Sequence, residues 1–197
     1  MWKKILAGLL IFTGVVTLIA CGSVPETMQS QKVDSKVTSS DGKILVVYFS
    51  ASGNTKRVAE TIANQKNAAL FAIKPSQSYT EENLNYRNTD SRVMKEHGQP
   101  DLRPTYEGDV ENWDSYDTVY IGYPLWWQQA PHVVYTFVEH HNFGGKEVIP
   151  FCTSSSSPLG TSGTNLAKAA GTGTWQVGIR FSGGVSTTEV LNWLKGK

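Results

Sequence analysis

"LVVYFSASGNTKRVAE", residues 45–60, passes from an apolar, β-branched run ending at Phe49, through small polar residues, to helix formers after Thr55. The pattern predicts a buried strand over Lys43–Phe49, a tight turn, and a helix over Asn54–Asn64 with Val58, Ala59 and Ile62 on one face. The turn consists of Ser50, Ala51, Ser52, Gly53, Asn54 and Thr55. Free N–H groups at the helix start, together with the helix dipole, favour an anion there. Gly53 lets the backbone come close to it, and Ser50, Ser52 and Thr55 add hydroxyl donors. No Gly-Lys-Ser/Thr follows, so this is not the loop of a nucleoside-triphosphate site, and Gly-x-Gly-x-x-Gly of dinucleotide sites is absent. A loop with no obligatory cation suits a phosphate monoester. The alternative is a turn capped by its own Ser and Thr. A hydrolase nucleophile elbow centred on Ser52 would need glycine at positions 50 and 54, where Ser50 and Asn54 stand.

Outward from this unit, strands and helices alternate. Ala68–Ile73, Thr118–Gly122, Glu147–Phe151 and Trp175–Phe181 read as strands. His132–His141, the region near Asn165–Ala170, and Thr187–Lys195 read as helices. Near-continuous apolar strands with helices between them imply a parallel sheet covered on both faces: an α/β, doubly wound domain. Ligands in such domains bind beyond the carboxyl ends of the strands. Pro75–Asn112 breaks the rhythm, being too long and polar for an ordinary connection. A helix is expected there over Thr80–His97, with Thr80 as its N-cap. The apolar content of 40% is enough to fill a core, and a net charge of +1 gives no basic face for a nucleic acid.

Two further loops fall at the same end of the expected sheet. The third strand runs into Pro124, Leu125, Trp126 and Trp127, aromatic faces suited to stacking on a flat ring. The fourth runs into Thr153, Ser154 and Ser155, a polar loop. One loop for phosphate, one aromatic and one polar describe a pocket for a phosphorylated heteroaromatic. His140 and His141 are adjacent and cannot share a helix face, so no metal site is expected. Cys152, at a strand end, reads as a small buried filler.

The N-terminus is read separately. Lys3 and Lys4 precede the apolar run Ile5–Ala20, short for a membrane span and typical of a secretory signal. Its end, Leu18-Ile19-Ala20-Cys21-Gly22, resembles a bacterial lipoprotein signal, in which cleavage precedes the Cys and its thiol is lipidated. A plain signal peptide or an uncleaved anchor is the alternative. The organisation expected is a signal peptide over 1–20, a polar tether over 21–41 starting at lipidated Cys21, and a domain over 42–197. This places the protein in the cell envelope, on the outer side of the cytoplasmic membrane or in the outer membrane.

The pieces "LVVYFSASGNTKRVAE", "RPTYEGDVENWDSYDTVYIGYPLWW", "VIPFCTSSSSPLG" and "FSGGVSTTEVLNWL" together resemble the flavodoxin-like family, whose bacterial members are sometimes lipid-anchored. The resemblance implies a five-stranded parallel sheet in the order 2-1-3-4-5 and non-covalently bound FMN. It implies that Ser50, Ala51, Ser52, Gly53, Asn54 and Thr55 hold the phosphate. Pro124, Leu125, Trp126 and Trp127 would line the isoalloxazine, and Thr153, Ser154 and Ser155 would meet the pyrimidine edge and ribityl chain. It also implies electron transfer with redox protein partners. An FMN-dependent oxidoreductase of the same fold, using NAD(P)H or a quinone, and a flavin-free binding module are the alternatives. In the family a Gly often follows the second Trp; here Gln128 stands there, and its Cβ is expected to resist positive φ.

Overall fold

The computed structural model describes residues 44–197. The expected signal peptide, the expected tether and Cys21 lie outside the described residues.

Strand β1 (Ile44–Tyr48) is buried on both sides because alternate residues feed two cores. Leu45, Val47 and Phe49 belong to one and Val46 and Tyr48 to the other. Helix α1 (Asn54–Lys66) follows, burying Val58, Ala59, Ile62 and Ala63, and ends where Asn67 turns left-handed at φ 49°. Strand β2 (Ala69–Ala72), a short antiparallel ribbon of β3 (Lys74–Pro75) and β4 (Tyr106–Glu107), and helix α2 (Arg92–His97) within the ribbon's long loop come next. Then come β5 (Thr118–Pro124), α3 (His132–His140), β6 (Glu147–Ser154), α4 (Ser162–Ala170), β7 (Thr174–Trp175), β8 (Ile179–Ser182) and α5 (Thr187–Leu194). A full capping box of Ser186 and Glu189 starts α5.

The main sheet runs β2-β1-β5-β6, with β7 and β8 both pairing β6 at its far side, and every pairing is parallel. This is the expected order 2-1-3-4-5. The expected fifth strand, Trp175–Phe181, is two pieces. Glu147 and Val148 pair Thr174 and Trp175, and pairing resumes at Phe151 with Ile179. Three residues of the outer strand thus stand opposite Ile149 and Pro150, a bulge placed where Pro150 has no N–H to give. Gly178 permits it: a Cβ there would lie 2.4 Å from the Pro150 carbonyl oxygen.

The expected helix over Thr80–His97 is corrected: only Arg92–His97 is helical, and its cap is Ser91, whose hydroxyl accepts from the Met94 N–H. Residues 80–90 form successive turns instead. Thr80 Oγ1 accepts from the Asn83 N–H, Asn85 Oδ1 from the Arg87 N–H, and Asn88 Oδ1 from the Asp90 N–H. Asn and Thr side chains compete here with helical carbonyls for the backbone donors.

Candidate functional site

The first rim loop joins β1 to α1. Gly53 occupies the N-cap of α1 at φ 86°, with no side-chain hydrogen bond capping the helix. The helix start is left without a side-chain cap, while the turn before it is closed by its own serines. The Gly53 N–H donates to Ser50 Oγ at 3.1 Å, and Asn54 Nδ2 donates to Ser52 Oγ at 3.3 Å. A Cβ at Gly53 would meet nothing within 4 Å, so the space before the helix start is open. Ala51 packs against the core beneath. Thr55 is 1% exposed, and its hydroxyl pairs with that of Thr153 at 2.8 Å. The Thr55 backbone N–H remains in the helix's first turn.

That Thr55–Thr153 bond ties the first rim loop to the third. The Thr153 carbonyl accepts from the Leu125 N–H at 2.9 Å, tying in the second. The three stretches chosen from sequence thus meet around one buried residue, Thr153. Beyond it, the carbonyls of Ser154 and Ser155 both accept from Arg180 Nη2 on β8, at 2.7 and 2.9 Å. Cys152 is fully buried, and burial pushes its thiol up to about 12, so it is a packing residue without thiolate chemistry.

The second loop leaves β5 at Pro124 and turns sharply. Trp126 and Gln129 exchange both backbone hydrogen bonds at 2.9 Å. Trp127 and Gln128 stand between them at φ 47° and 62°, the positive values of a type I′ hairpin turn. Gln128 thus takes the positive φ that its Cβ disfavours. Closing two residues between paired strands demands that region, and the next side chain pins the turn. Gln129 Oε1 accepts from Tyr135 Oη on α3 at 3.1 Å and from Asn165 Nδ2 on α4 at 2.8 Å.

The two tryptophans differ. Trp126 packs edge-on against Phe49 and Tyr79, with ring centroids 5.6 and 5.4 Å away. Trp127 is 39% exposed and stacks on His97 of α2 at 4.4 Å and 11°. Both aromatic neighbours from the insertion were missed by sequence reading. Tyr79 Oη donates to Glu96 Oε2 at 2.7 Å, and Arg92 Nε donates to Glu96 Oε1 at 2.6 Å. Burial and the Glu96 bond hold the Tyr79 hydroxyl far above its usual range, so it stays protonated. Arg180 was missed too. The one signal for it was a cation inside an apolar strand.

The flavodoxin family's sequence profile matches residues 43–197. The chain belongs to the flavodoxin family. A flavoprotein structure from Bacteroides eggerthii is 40% identical, covering 78% of this chain and 96% of its own, with a TM-score of 0.72. One from Bacteroides uniformis is 36% identical over 79% of this chain and 99% of its own, with a TM-score of 0.74. A flavoprotein from Lactobacillus acidophilus, crystallised in complex with FMN, shares the fold at 23% identity and a TM-score of 0.58, covering 78% of this chain and 99% of its own. No curated protein matches the chain in sequence.

FMN is the cofactor that goes with this family, and the rim suits it. The first loop offers an uncapped helix start and neutral hydroxyl and amide donors for a phosphate. The second offers aromatic surface, and the third offers polar groups braced by Arg180.

Proposed function

We propose that this flavodoxin carries electrons between redox proteins at a membrane surface, held there by a lipid on Cys21 in the cell envelope. The observation that carries the reading is the knot at Thr153, which brings the phosphate, aromatic and polar loops to one rim. The FMN complex of the Lactobacillus acidophilus relative supports the ligand. The lysine-led apolar run ending at Cys21 supports the anchor.

When bound, FMN supplies a couple that accepts two electrons and can release them singly. This chain's residues hold and orient it. Ser50, Ser52, Asn54 and the first N–H groups of α1 take the phosphate. Pro124, Leu125, Trp126 and Trp127 flank the ring, and Thr153, Ser154 and Ser155 face the polar edge and the ribityl chain. Gly53 allows the close approach of backbone to phosphate. Trp127, 39% exposed, leaves the aromatic turn open to a docking protein, as a carrier requires.

The competing reading is an FMN-dependent NAD(P)H or quinone oxidoreductase. Anaerobic mixing of the FMN-loaded chain with NADPH or NADH separates the two. A carrier is reduced only when a flavodoxin reductase is added. Fast direct reduction, followed by turnover with a quinone, would replace the carrier reading with the enzyme. For the anchor, Cys21→Ser should move the protein out of the membrane fraction. Unchanged attachment with a correctly trimmed N-terminus would remove the lipid from the proposal.

A further inference from the structure

The long β3–β4 loop does more than cover the sheet. Between the ribbon, the Asn-rich turns and α2 it borders an open cleft of about 620 Å³, the size of small-molecule sites. Its charged lining sorts into groups that are committed and groups that are not. Arg103 is committed: Nε and Nη2 form a two-pronged pair with Glu139 at 2.8 and 2.9 Å, and Nη1 donates to the Pro100 and Leu102 carbonyls. Glu96 is committed to Tyr79 and Arg92.

Arg92 is half-committed. Nε is on Glu96 and Nη1 is on the Gln77 carbonyl. The guanidinium carbon sits 4.0 Å from the centre of the Tyr79 ring. These contacts fix the plane of the group. Its Nη2 has no hydrogen-bond partner among the described residues. Lys95, three residues on and on the same helix face, also lines the cleft and makes no ion pair among the described residues. Asp90 is the remaining acid in the wall. In charge, Glu96 balances Arg92 and Asp90 balances Lys95, so what the wall offers an anion is donors without partners among the described residues: Arg92 Nη2 and the Lys95 ammonium. Leu102, 38% exposed, and Pro104 add an apolar wall.

We propose that this cleft binds a small organic monocarboxylate, its carboxylate on Arg92 and Lys95 and its apolar body against Leu102 and Pro104. A guanidinium held in one plane presents Nη2 as a pre-oriented, charge-assisted donor to a carboxylate beside Lys95. The site is also wired to the rim. Glu96 borders both this cleft and a smaller cavity, about 40 Å³, walled by His97, Trp126 and Trp127. From Arg92 through Glu96 and Tyr79 to Trp126 the contacts are continuous. A carboxylate on Arg92 competes with Glu96 for the guanidinium, loosens the Tyr79 bond, and so shifts the ring packed on Trp126. This coupling to the flavin rests on the FMN reading above; the binding itself does not.

The test is calorimetric titration of the full chain, with and without FMN, using benzoate as the probe and benzamide and inorganic phosphate as controls. Benzoate should bind saturably, about tenfold more tightly than either control, and change tryptophan emission. Lys95→Gln, at an exposed residue without an ion pair, should weaken benzoate several-fold while leaving the urea midpoint unchanged. Tyr79→Phe should keep benzoate binding but lose the emission change. No saturable benzoate binding, benzamide or phosphate binding as tightly as benzoate, or Lys95→Gln binding benzoate unchanged would overturn the site. An emission change that survives in Tyr79→Phe would overturn the coupling. FMN uptake is followed separately by flavin absorbance. A chain that ignores FMN yet binds benzoate therefore loses the carrier reading and keeps this site.

Discussion

Two turns at one rim solve the same backbone problem in opposite ways. The β1–α1 loop enters positive φ at Gly53, where a left-handed conformation carries no steric cost. The aromatic turn enters it at Trp127 and Gln128 in succession, with no glycine. Left-handed backbone at a residue with a Cβ costs about 1–2 kcal/mol, so the second turn has to be held by its surroundings. The hydrogen bonds from Tyr135 and Asn165 to Gln129, the stack of Trp127 on His97, and the packing of Trp126 on Phe49 and Tyr79 supply that support. The difference teaches that the β1–α1 loop is shaped by its own sequence, whereas the aromatic turn is shaped by α3, α4 and the long β3–β4 loop.

The sharpest way to break the comparison is at the supports. Trp126→Ala should destabilise the chain by about 3 kcal/mol, because it empties a space between two aromatic rings. Trp127→Ala, at an exposed position, should cost less than about 1 kcal/mol. Urea unfolding of both variants reads the pair, and equal losses would mean that the two tryptophans are not divided between core and surface.

At the glycine, Gly53→Ala should cost about 1–2 kcal/mol and weaken FMN binding, measured by flavin fluorescence. The opposite sign is expected at Gln128→Gly, which should gain up to about 1 kcal/mol, strain relief being partly offset by the greater freedom of glycine when unfolded. If both substitutions destabilise, the aromatic turn is not strained.

The smallest effect concerns His132, beside the small cavity behind the aromatic turn. Its Nδ1 is buried without a hydrogen-bond partner among the described residues. Burial pushes its pKa below the usual value near 6.5. The unfolded chain therefore takes up the proton first, so the stability His132 contributes is present above pH about 6.5 and falls as the pH drops toward its folded value. The loss of unfolding midpoint between pH 7.5 and 5.5, two conditions chosen on either side of about 6.5, should be smaller in His132→Asn than in the unchanged chain. An identical loss would remove His132 from that balance.

Much of this was legible. The alternation of β-branched strands and helices carries the parallel, doubly covered sheet, because the central strands β1, β5 and β6 are buried on both faces and have to be apolar throughout; the strand order came from the family resemblance. The rim loops were legible because Gly53, the Trp pair and the Thr-Ser run fall where strands end. The split of the outer strand was not legible, since it depends on Pro150 standing opposite it in another strand. Nor were Tyr79, Arg92, Glu96 and His97, which lie in a polar stretch without periodicity. Their positions follow from long-range pairing, and local Asn and Thr bonds override the helical propensity of residues 80–90. The positive φ of Gln128 likewise comes from tertiary support against local preference.

The most direct measurement is equilibrium titration of the flavin-free chain with FMN and with riboflavin, followed by flavin fluorescence. One FMN per chain is expected, with riboflavin about 30- to 150-fold weaker, since two or three hydrogen bonds to the phosphate contribute about 1 kcal/mol each. A chain that takes up no FMN, or that binds riboflavin as tightly, would contradict a phosphate held by Ser50–Thr55.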